Sequence, residues 1–318
     1  MWRPVFAVVA GLGVLGLVMG LLAFERQRGG AAVGFDVFGI PLAAAAAVLP
    51  FLGVAFLSGG SFTSPAFVVP VLMGLVALVG LVVAQYARQR ALMPVRLISH
   101  TLPVSGILAA MVTGAAFTAA LELFRLQAGE VLGQPPLAVG VQLTTQLVGV
   151  GVAAWLFKRA LCTRWLPVVA FGGLVVVAAA TALLFMLSAA TAPVVVPVAG
   201  LLLGFGAGAG VAPGLFMAGL SVPSNRLGPT FALVELLRSA AAFLLAPVLL
   251  EIATTAGDLA AGIERAAVIT LVVLAVGGAA AVAVLLAGGR RPHAPDLETW
   301  LSGEAPAYDS PRFAAALR

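Results

Sequence analysis

Apolar stretches of about 20 residues recur along this chain, and short segments rich in glycine, proline and charged residues separate them. A helix needs about 20 predominantly apolar residues to cross the hydrocarbon core of a bilayer. The pattern therefore predicts an all-α polytopic membrane protein with about nine transmembrane helices. The predicted spans are 4–24, 37–57, 65–87, 102–124, 136–157, 165–187, 193–220, 228–252 and 265–287.

The composition excludes a soluble globular protein. Of the 318 residues, 62% are hydrophobic and only 9% are charged, whereas a soluble domain carries roughly 25% charged residues. The net charge of +5 does not indicate a nucleic-acid partner, because the basic residues fall in short loops between apolar spans. The expected partners are the lipid bilayer and a small-molecule substrate.

No residue pattern indicates an enzyme, a metal site or a bound cofactor. The single cysteine, Cys162, cannot form an internal disulfide, and the two histidines, His100 and His293, lie far apart in the sequence. We therefore expect a protein without catalytic residues.

The loop charges predict the orientation of the chain. Eleven basic loop residues fall on one side of the membrane and three on the other, and basic residues mark the cytoplasmic side. The N-terminus is thus expected outside and the C-terminus inside, with residues 289–318 forming a disordered cytoplasmic tail because they are proline-rich and polar. The eleven residues are Arg26, Arg28, Arg88, Arg90, Arg96, Lys158, Arg159, Arg164, Arg226, Arg290 and Arg291.

Two charged residues fall inside a predicted span. Arg238 lies ten residues into the span 228–252, near the bilayer midplane, and Glu235 lies three residues earlier on the same helix face. A charge at the bilayer centre costs roughly 2.5–3.5 kcal/mol on insertion scales. The pair is therefore interpreted as lining a transport pathway, and the alternative is a buried ion pair that only joins helices.

Other polar residues are weaker candidates for the pathway. Gln142, Thr145 and Gln146 are predicted to share one face of the span 136–157, where the alternative is hydrogen bonding between helices. Glu122 and Arg125 lie near the outer end of the span 102–124, where a solvated pair at the rim is the alternative.

The span 193–220 is rich in glycine. Gly204 and Gly208 are spaced four residues apart, and Gly210 and Pro213 follow. Small residues at this spacing let helix backbones approach closely, and a proline loosens a helix locally. The pattern predicts a tightly packed helix that can bend.

The stretch GLSVPSNRLGPTFALVELLRSAAAF resembles a segment of the major facilitator superfamily, in its fourteen-helix drug:proton antiporter branch. Arg226, Gly228 and Arg238 match the places of the family's loop residues and mid-helix arginine, whereas Glu235 departs from the family's pattern. WRPVFAVVAGLGVLGLV resembles the family's sixth helix, and FDVFG and ALMPVRLI resemble its later helix entries. FKRALCTRW, with Lys158, Arg159 and Arg164, resembles a basic cytoplasmic loop motif.

The resemblance implies a domain organisation. Residues 1–24 would correspond to the sixth helix, 25–101 to two linker helices with their loops, and 102–288 to the six-helix C-terminal transporter domain. The first five family helices would then be absent from this chain. A separately encoded N-terminal half, or a homodimer, would be the partner that completes the pathway.

The resemblance also implies a function. It indicates proton-driven efflux of small hydrophobic or cationic compounds, with the proton gradient as energy source and no cofactor. Arginine outnumbers lysine sixteen to one, which indicates a GC-rich bacterial genome and hence a bacterial inner membrane. The alternative is a non-transporting membrane protein, a remnant or a helix-packing interaction partner.

Overall fold

The computed structural model describes residues 3–23, 36, 38–57, 61–88, 93, 95–289, 293–303 and 305–316. These residues are predominantly helical, and among them the only β-type pairing is an isolated bridge between His100 and Arg312. The chain divides into two compact units, Met1–Asp36 and Val37–Arg318. The first unit contains one apolar helix, α1 (Arg3–Ala23), whose described side chains are almost all exposed.

The second unit begins with a helical hairpin and continues as a bundle of longer helices. The remaining helices are α2 (Gly39–Ala55), α3 (Pro65–Ala87), α4 (Val95–Ile98), α5 (Thr101–Leu126), α6 (Pro136–Leu143), α7 (Thr145–Ala160), α8 (Leu166–Ala182), α9 (Ala192–Gly219), α10 (Leu227–Thr255), α11 (Leu259–Ala287), α12 (Leu297–Leu301) and α13 (Phe313–Ala316).

Seven helical segments in the described residues are long and apolar enough to cross a membrane, as in a multi-pass membrane protein. They coincide with the last seven predicted spans to within a few residues at most ends. Two further apolar helices, Phe6–Leu22 and Gly39–Ala55, occupy the first two predicted spans but are shorter. The basic positions Arg26, Arg28, Arg90, Arg290 and Arg291 lie outside the described residues.

The α2–α3 hairpin packs around a proline. Pro50 lies within α2, and its ring fills the space that a side chain at Gly74 of α3 would need. The hairpin contacts the bundle through α10, where the rings of Phe51 and Phe243 meet edge to face with centroids 5.0 Å apart.

Helix α9 lies at the centre of the bundle and packs against α5, α7 and α8. A side-chain carbon at Gly204 would overlap the backbone of Gln146 in α7, and one at Gly208 would lie 2.8 Å from the Cβ of Ala153 in α7. Gly210 faces α5, where its missing side chain leaves room for Thr113. The close approach predicted from the glycine spacing is therefore present, and α9 continues as a helix through Pro213.

The span predicted at 136–157 is not one continuous helix. It is divided at Thr144 into α6 and α7. The Thr144 amide donates to the Val141 carbonyl at 3.2 Å, three residues back, and the Thr144 hydroxyl donates to the same oxygen at 2.6 Å. This side-chain bond competes with the regular helical ladder, so the backbone tightens at that point.

The helices of the bundle alternate in direction because short connections join them. Helices α7, α9 and α11 finish at the same end of the bundle at which α5, α8 and α10 begin. We call this end the basic end. The exposed residues Lys158 and Arg159 lie in the last turn of α7, and Arg226 lies at the start of α10. Arg164 lies just before α8.

The tail is folded in its described residues, so the expectation of disorder is wrong for 293–303 and 305–316. The backbone amides of Ala307 and Tyr308 donate to the Leu220 carbonyl at 2.8 and 3.1 Å, and the Trp300 indole donates to the Val222 carbonyl at 2.8 Å. The last carbonyls of a helix have no partner within the helix. The tail provides donors for carbonyls at the end of α9.

The same tail also reaches the beginning of α5. The Thr101 amide donates to the Pro311 carbonyl at 3.0 Å, and the Phe313 amide donates to the Ser99 carbonyl at 3.0 Å. The tail therefore connects the start of α5 to the end of α9 at the basic end of the bundle.

Candidate functional site

Glu235 and Arg238 form an ion pair on one face of α10. The Arg238 Nε donates to the Glu235 Oε2 at 2.8 Å, and Nη2 donates to the other carboxylate oxygen, Oε1. The Ser239 hydroxyl approaches Oε1 at 3.4 Å. Two parallel bonds between a guanidinium and a carboxylate fix the orientation of both groups, so the pair presents one defined polar surface.

The pair lies deep within the helix. Arg238 is 11 residues beyond Leu227, the first residue of the 29-residue helix α10. At about 1.5 Å per residue this is roughly 16 Å from the basic end, and half of a hydrocarbon core is about 15 Å. The helix length therefore places the Arg238 backbone near the level of a bilayer midplane.

Helix α5 provides the space for the arginine. A Cβ atom at Gly114 of α5 would lie 2.9 Å from the Arg238 Cγ and 3.2 Å from its Nη1. Glycine at this position therefore lets the arginine side chain pack against the α5 backbone. The sequence interpretation did not identify Gly114, because a lone glycine in an alanine-rich helix carries no distinctive spacing.

The two members of the pair differ in exposure. The Arg238 side chain is 25% exposed, whereas the Glu235 side chain is 50% exposed. The carboxylate thus faces outward from the bundle, while the arginine lies between α10 and α5. Within a bilayer this outward surface needs a polar neighbour, because a charge exposed to hydrocarbon is costly.

The polar residues of the divided span have a different environment. The Thr145 hydroxyl donates to the Pro197 carbonyl of α9 at 2.6 Å, so it joins two helices. Gln142 lies on α6, half buried, and its Oε1 atom has no hydrogen-bond partner in the described part of the chain. Gln146 is half buried on α7, with its backbone against Gly204. Thr145 and Gln146 therefore both lie on the side of α7 that packs against α9, and Gln142 precedes them on α6.

These polar residues are not bonded to the ion pair. Helix α7 packs on α9, whereas α10 packs on α5 and α11. No hydrogen bond or ion pair among the described residues joins Gln142, Thr145 or Gln146 to Glu235 or Arg238. The structure thus separates the candidates into two groups on different helices.

Glu122 and Arg125 form a second Glu–Arg pair with the same three-residue spacing. The Arg125 Nε donates to Glu122 Oε2 at 2.7 Å, and the side chains are 63% and 39% exposed for Arg125 and Glu122. They lie at the end of α5 opposite the basic end. This location corresponds to the solvated rim pair rather than to a group deep in the bundle.

The basic end carries aromatic residues beside its cations. The Arg159 guanidinium lies 4.0 Å from the centroid of the Trp155 ring, and the Arg164 guanidinium lies 5.4 Å from that of Trp165. Both tryptophans are about half exposed. Exposed tryptophan next to arginine is typical of residues at a membrane–water interface.

No group of three or more metal-ligating side chains occurs among residues that the structure describes. Comparison with known proteins gave no matching family model and no significant match among curated proteins.

Proposed function

We propose that this chain is a component of a membrane transporter of the major facilitator type, and that the Glu235–Arg238 pair lies on its transport pathway. The observation that carries the proposal is the bidentate ion pair near the middle of α10, with half of the Glu235 side chain exposed. Ionisable residues within membrane helices usually line substrate or ion pathways. The ordered resemblance of the sequence to the drug:proton antiporter branch supports the same class.

The chemistry of the pair favours a proton or a cationic compound. The Glu235 carboxylate is a single negative charge, and half of its side chain is exposed on the outward face of α10. A proton or a substrate cation that binds the exposed carboxylate oxygen competes with Arg238 for the same charge. Such competition would couple proton entry to the release of a cationic substrate.

The exposed side of the pair favours a second helical bundle opposite α10. Substrate sites in transporters of this type lie near the midplane between two bundles that rock against each other. A separate N-terminal half or a second copy of the chain would supply this opposing wall. The location of the basic residues favours a cytoplasmic basic end and an outside N-terminus. The excess of arginine over lysine favours a bacterial inner membrane.

A non-transporting role in helix packing is the second candidate. The Thr145–Pro197 hydrogen bond favours it, because one of the proposed pathway residues joins helices instead. In this case Glu235 and Arg238 would also serve to hold another helix against α10.

Efflux measurements with two matched variants test the proposal. Glu235→Gln removes the carboxylate near the midplane, and Glu122→Gln removes the carboxylate of the rim pair with the same spacing. We expect Glu235→Gln to abolish the pH dependence of cationic dye efflux from cells, and Glu122→Gln to retain it. Equal efflux by wild type and Glu235→Gln at every pH, at equal expression, would show that the pair is not on a transport pathway.

A further inference from the structure

An apolar groove of about 390 Å³ lies between α3, α4, α5 and α10. Its lining includes Tyr86 of α3, Ile98 of α4, Ile107 and Met111 of α5, and Leu237 of α10. Apart from Tyr86 and Ser99 the lining side chains are apolar, and the Ser99 hydroxyl already donates to the Arg96 carbonyl at 2.7 Å.

The groove extends over the depth of one bilayer leaflet. Its shallow end is at Ile98, next to the start of α5, and its deep end is at Met111, ten residues beyond Thr101. Ten helical residues correspond to about 15 Å, which is half of a hydrocarbon core of about 30 Å. The groove therefore has the length of the acyl region of the leaflet at the basic end.

The lining determines what can fill the groove. Apolar cavities do not hold ordered water, because a water molecule needs two to four polar partners. The volume lies within the roughly 300–1,000 Å³ of pockets that bind small molecules. A flexible hydrocarbon chain fits both the length and the surface of the groove.

A cation lies at the shallow end. Arg96 of α4 is exposed, its guanidinium lies 5.5 Å from the centroid of the Tyr86 ring, and it has no ion-pair partner among the described residues. The buried Gln85 holds the adjoining loop, because its Oε1 accepts from the Met93 amide at 3.1 Å. A guanidinium held beside the groove is suited to two hydrogen bonds with a phosphate.

We propose that this groove binds an anionic glycerophospholipid, with one acyl chain between α3, α5 and α10 and its phosphate on Arg96. The charge at the mouth selects the head group, and the apolar lining accepts the chain. The inference concerns a lipid site and does not depend on the transport function.

Lipid titration of the purified full chain tests this site. Native mass spectrometry in detergent would compare phosphatidylglycerol with phosphatidylcholine of the same acyl chains. A basic residue near anionic lipid contributes about 1 kcal/mol, so we expect wild type to prefer phosphatidylglycerol about fivefold. Arg96→Gln should remove this preference while phosphatidylcholine still binds.

Two further variants separate the site from general effects. Arg164 is also an exposed arginine beside an aromatic ring, that of Trp165, but it lies outside the groove. Arg164→Gln should therefore keep the preference for phosphatidylglycerol. Ile107→Trp fills the groove and should reduce binding of both lipids. If Ile107→Trp does not fold, Leu237→Phe fills the groove in its place. Equal binding of the two lipids by wild type, equal loss in Arg96→Gln and Arg164→Gln, or unchanged binding in the filled groove would each overturn the proposal.

Discussion

Replacing Gly149 with alanine should separate α7 from α9. A Cβ atom at Gly149 would lie 2.6 Å from the Phe205 amide nitrogen and closer still to the Leu201 carbonyl oxygen. Both are backbone atoms of α9, so no side-chain rotation relieves the overlap. An ordinary contact begins at 3.4 Å, so the two helices must move apart by about 0.8 Å or more at this point.

The same helix offers a matched control. Gly151 lies two residues further along α7, and a Cβ atom there would meet no atom within 4 Å. Added groups in a packed interface typically cost about 1–3 kcal/mol, whereas a surface substitution usually changes stability by no more than about 0.5 kcal/mol. Gly149→Ala should therefore lower stability by about 1–3 kcal/mol, and Gly151→Ala should change it little.

Unfolding by sodium dodecyl sulfate in mixed micelles measures this difference through tryptophan fluorescence. Gly204→Ala perturbs the same interface from α9. Because either substitution alone already separates the helices, the double variant should lose less stability than the sum of the single losses. Equal unfolding midpoints for Gly149→Ala and Gly151→Ala would refute the close packing of α7 on α9.

Two further predictions concern the tail and the orientation. Burial raises the pKa of Tyr308 to about 12, and its hydroxyl has no hydrogen-bond partner in the described residues. The docked tail therefore favours the neutral phenol over the phenolate. Docking of the tail on the bundle should be constant below pH 10, the range of a free tyrosine, and should weaken as the pH approaches 12. Tyr308→Phe should remove this pH dependence and strengthen docking of the tail by about 1–3 kcal/mol, because no unpaired hydroxyl is then buried. Protection of the tail from proteolysis measures docking, and weaker protection in the variant than in wild type would contradict the prediction. A membrane-impermeant maleimide should label a cysteine at Gly257 on intact cells but not the exposed native Cys162, and the reverse pattern would invert the proposed topology.

The helix positions could be predicted because span length is a property of the sequence alone. The last seven predicted spans match the described helices closely, and the three-residue spacing of Glu235 and Arg238 correctly indicated that they meet. Both inferences depend on local helix geometry, which neighbouring elements do not alter.

The break at Thr144 could not be predicted, because two adjacent threonines do not by themselves interrupt a helix. It accompanies contacts with α9, where Thr145 bonds the Pro197 carbonyl and Gly204 lies against the Gln146 backbone. These partners are more than 50 residues away in the chain, so the sequence pattern carries no sign of them.

The folded tail was missed for a similar reason. Its polar, proline-rich composition is typical of disorder, and only three of its residues are aromatic. Docking depends on the Leu220 and Val222 carbonyls, which become acceptors for the tail only because α9 ends there. The composition of the tail alone therefore cannot predict docking, because the hydrogen-bond acceptors belong to a helix that is distant in the sequence.

The central claim is that the Glu235–Arg238 pair faces a water-filled pathway, and the reactivity of a cysteine at Ser239 tests it most directly. Ser239 lies beside Glu235. Val276 of α11 is a control at a similar depth. It lies 11 residues from Ala287, the last residue of α11 at the basic end. Arg238 likewise lies 11 residues from Leu227, the first residue of α10 at that end. Its side chain is 65% exposed on an apolar helix.

Each substitution is made in a Cys162→Ser background, and native membranes are treated with a charged, water-soluble thiol reagent. Only the thiolate reacts, and apolar surroundings raise the pKa of a thiol. The proposed pathway predicts rapid modification of Ser239→Cys, slowed by a cationic substrate, and little modification of Val276→Cys. Equally slow modification at both positions would place the pair against lipid or another helix and would contradict the account.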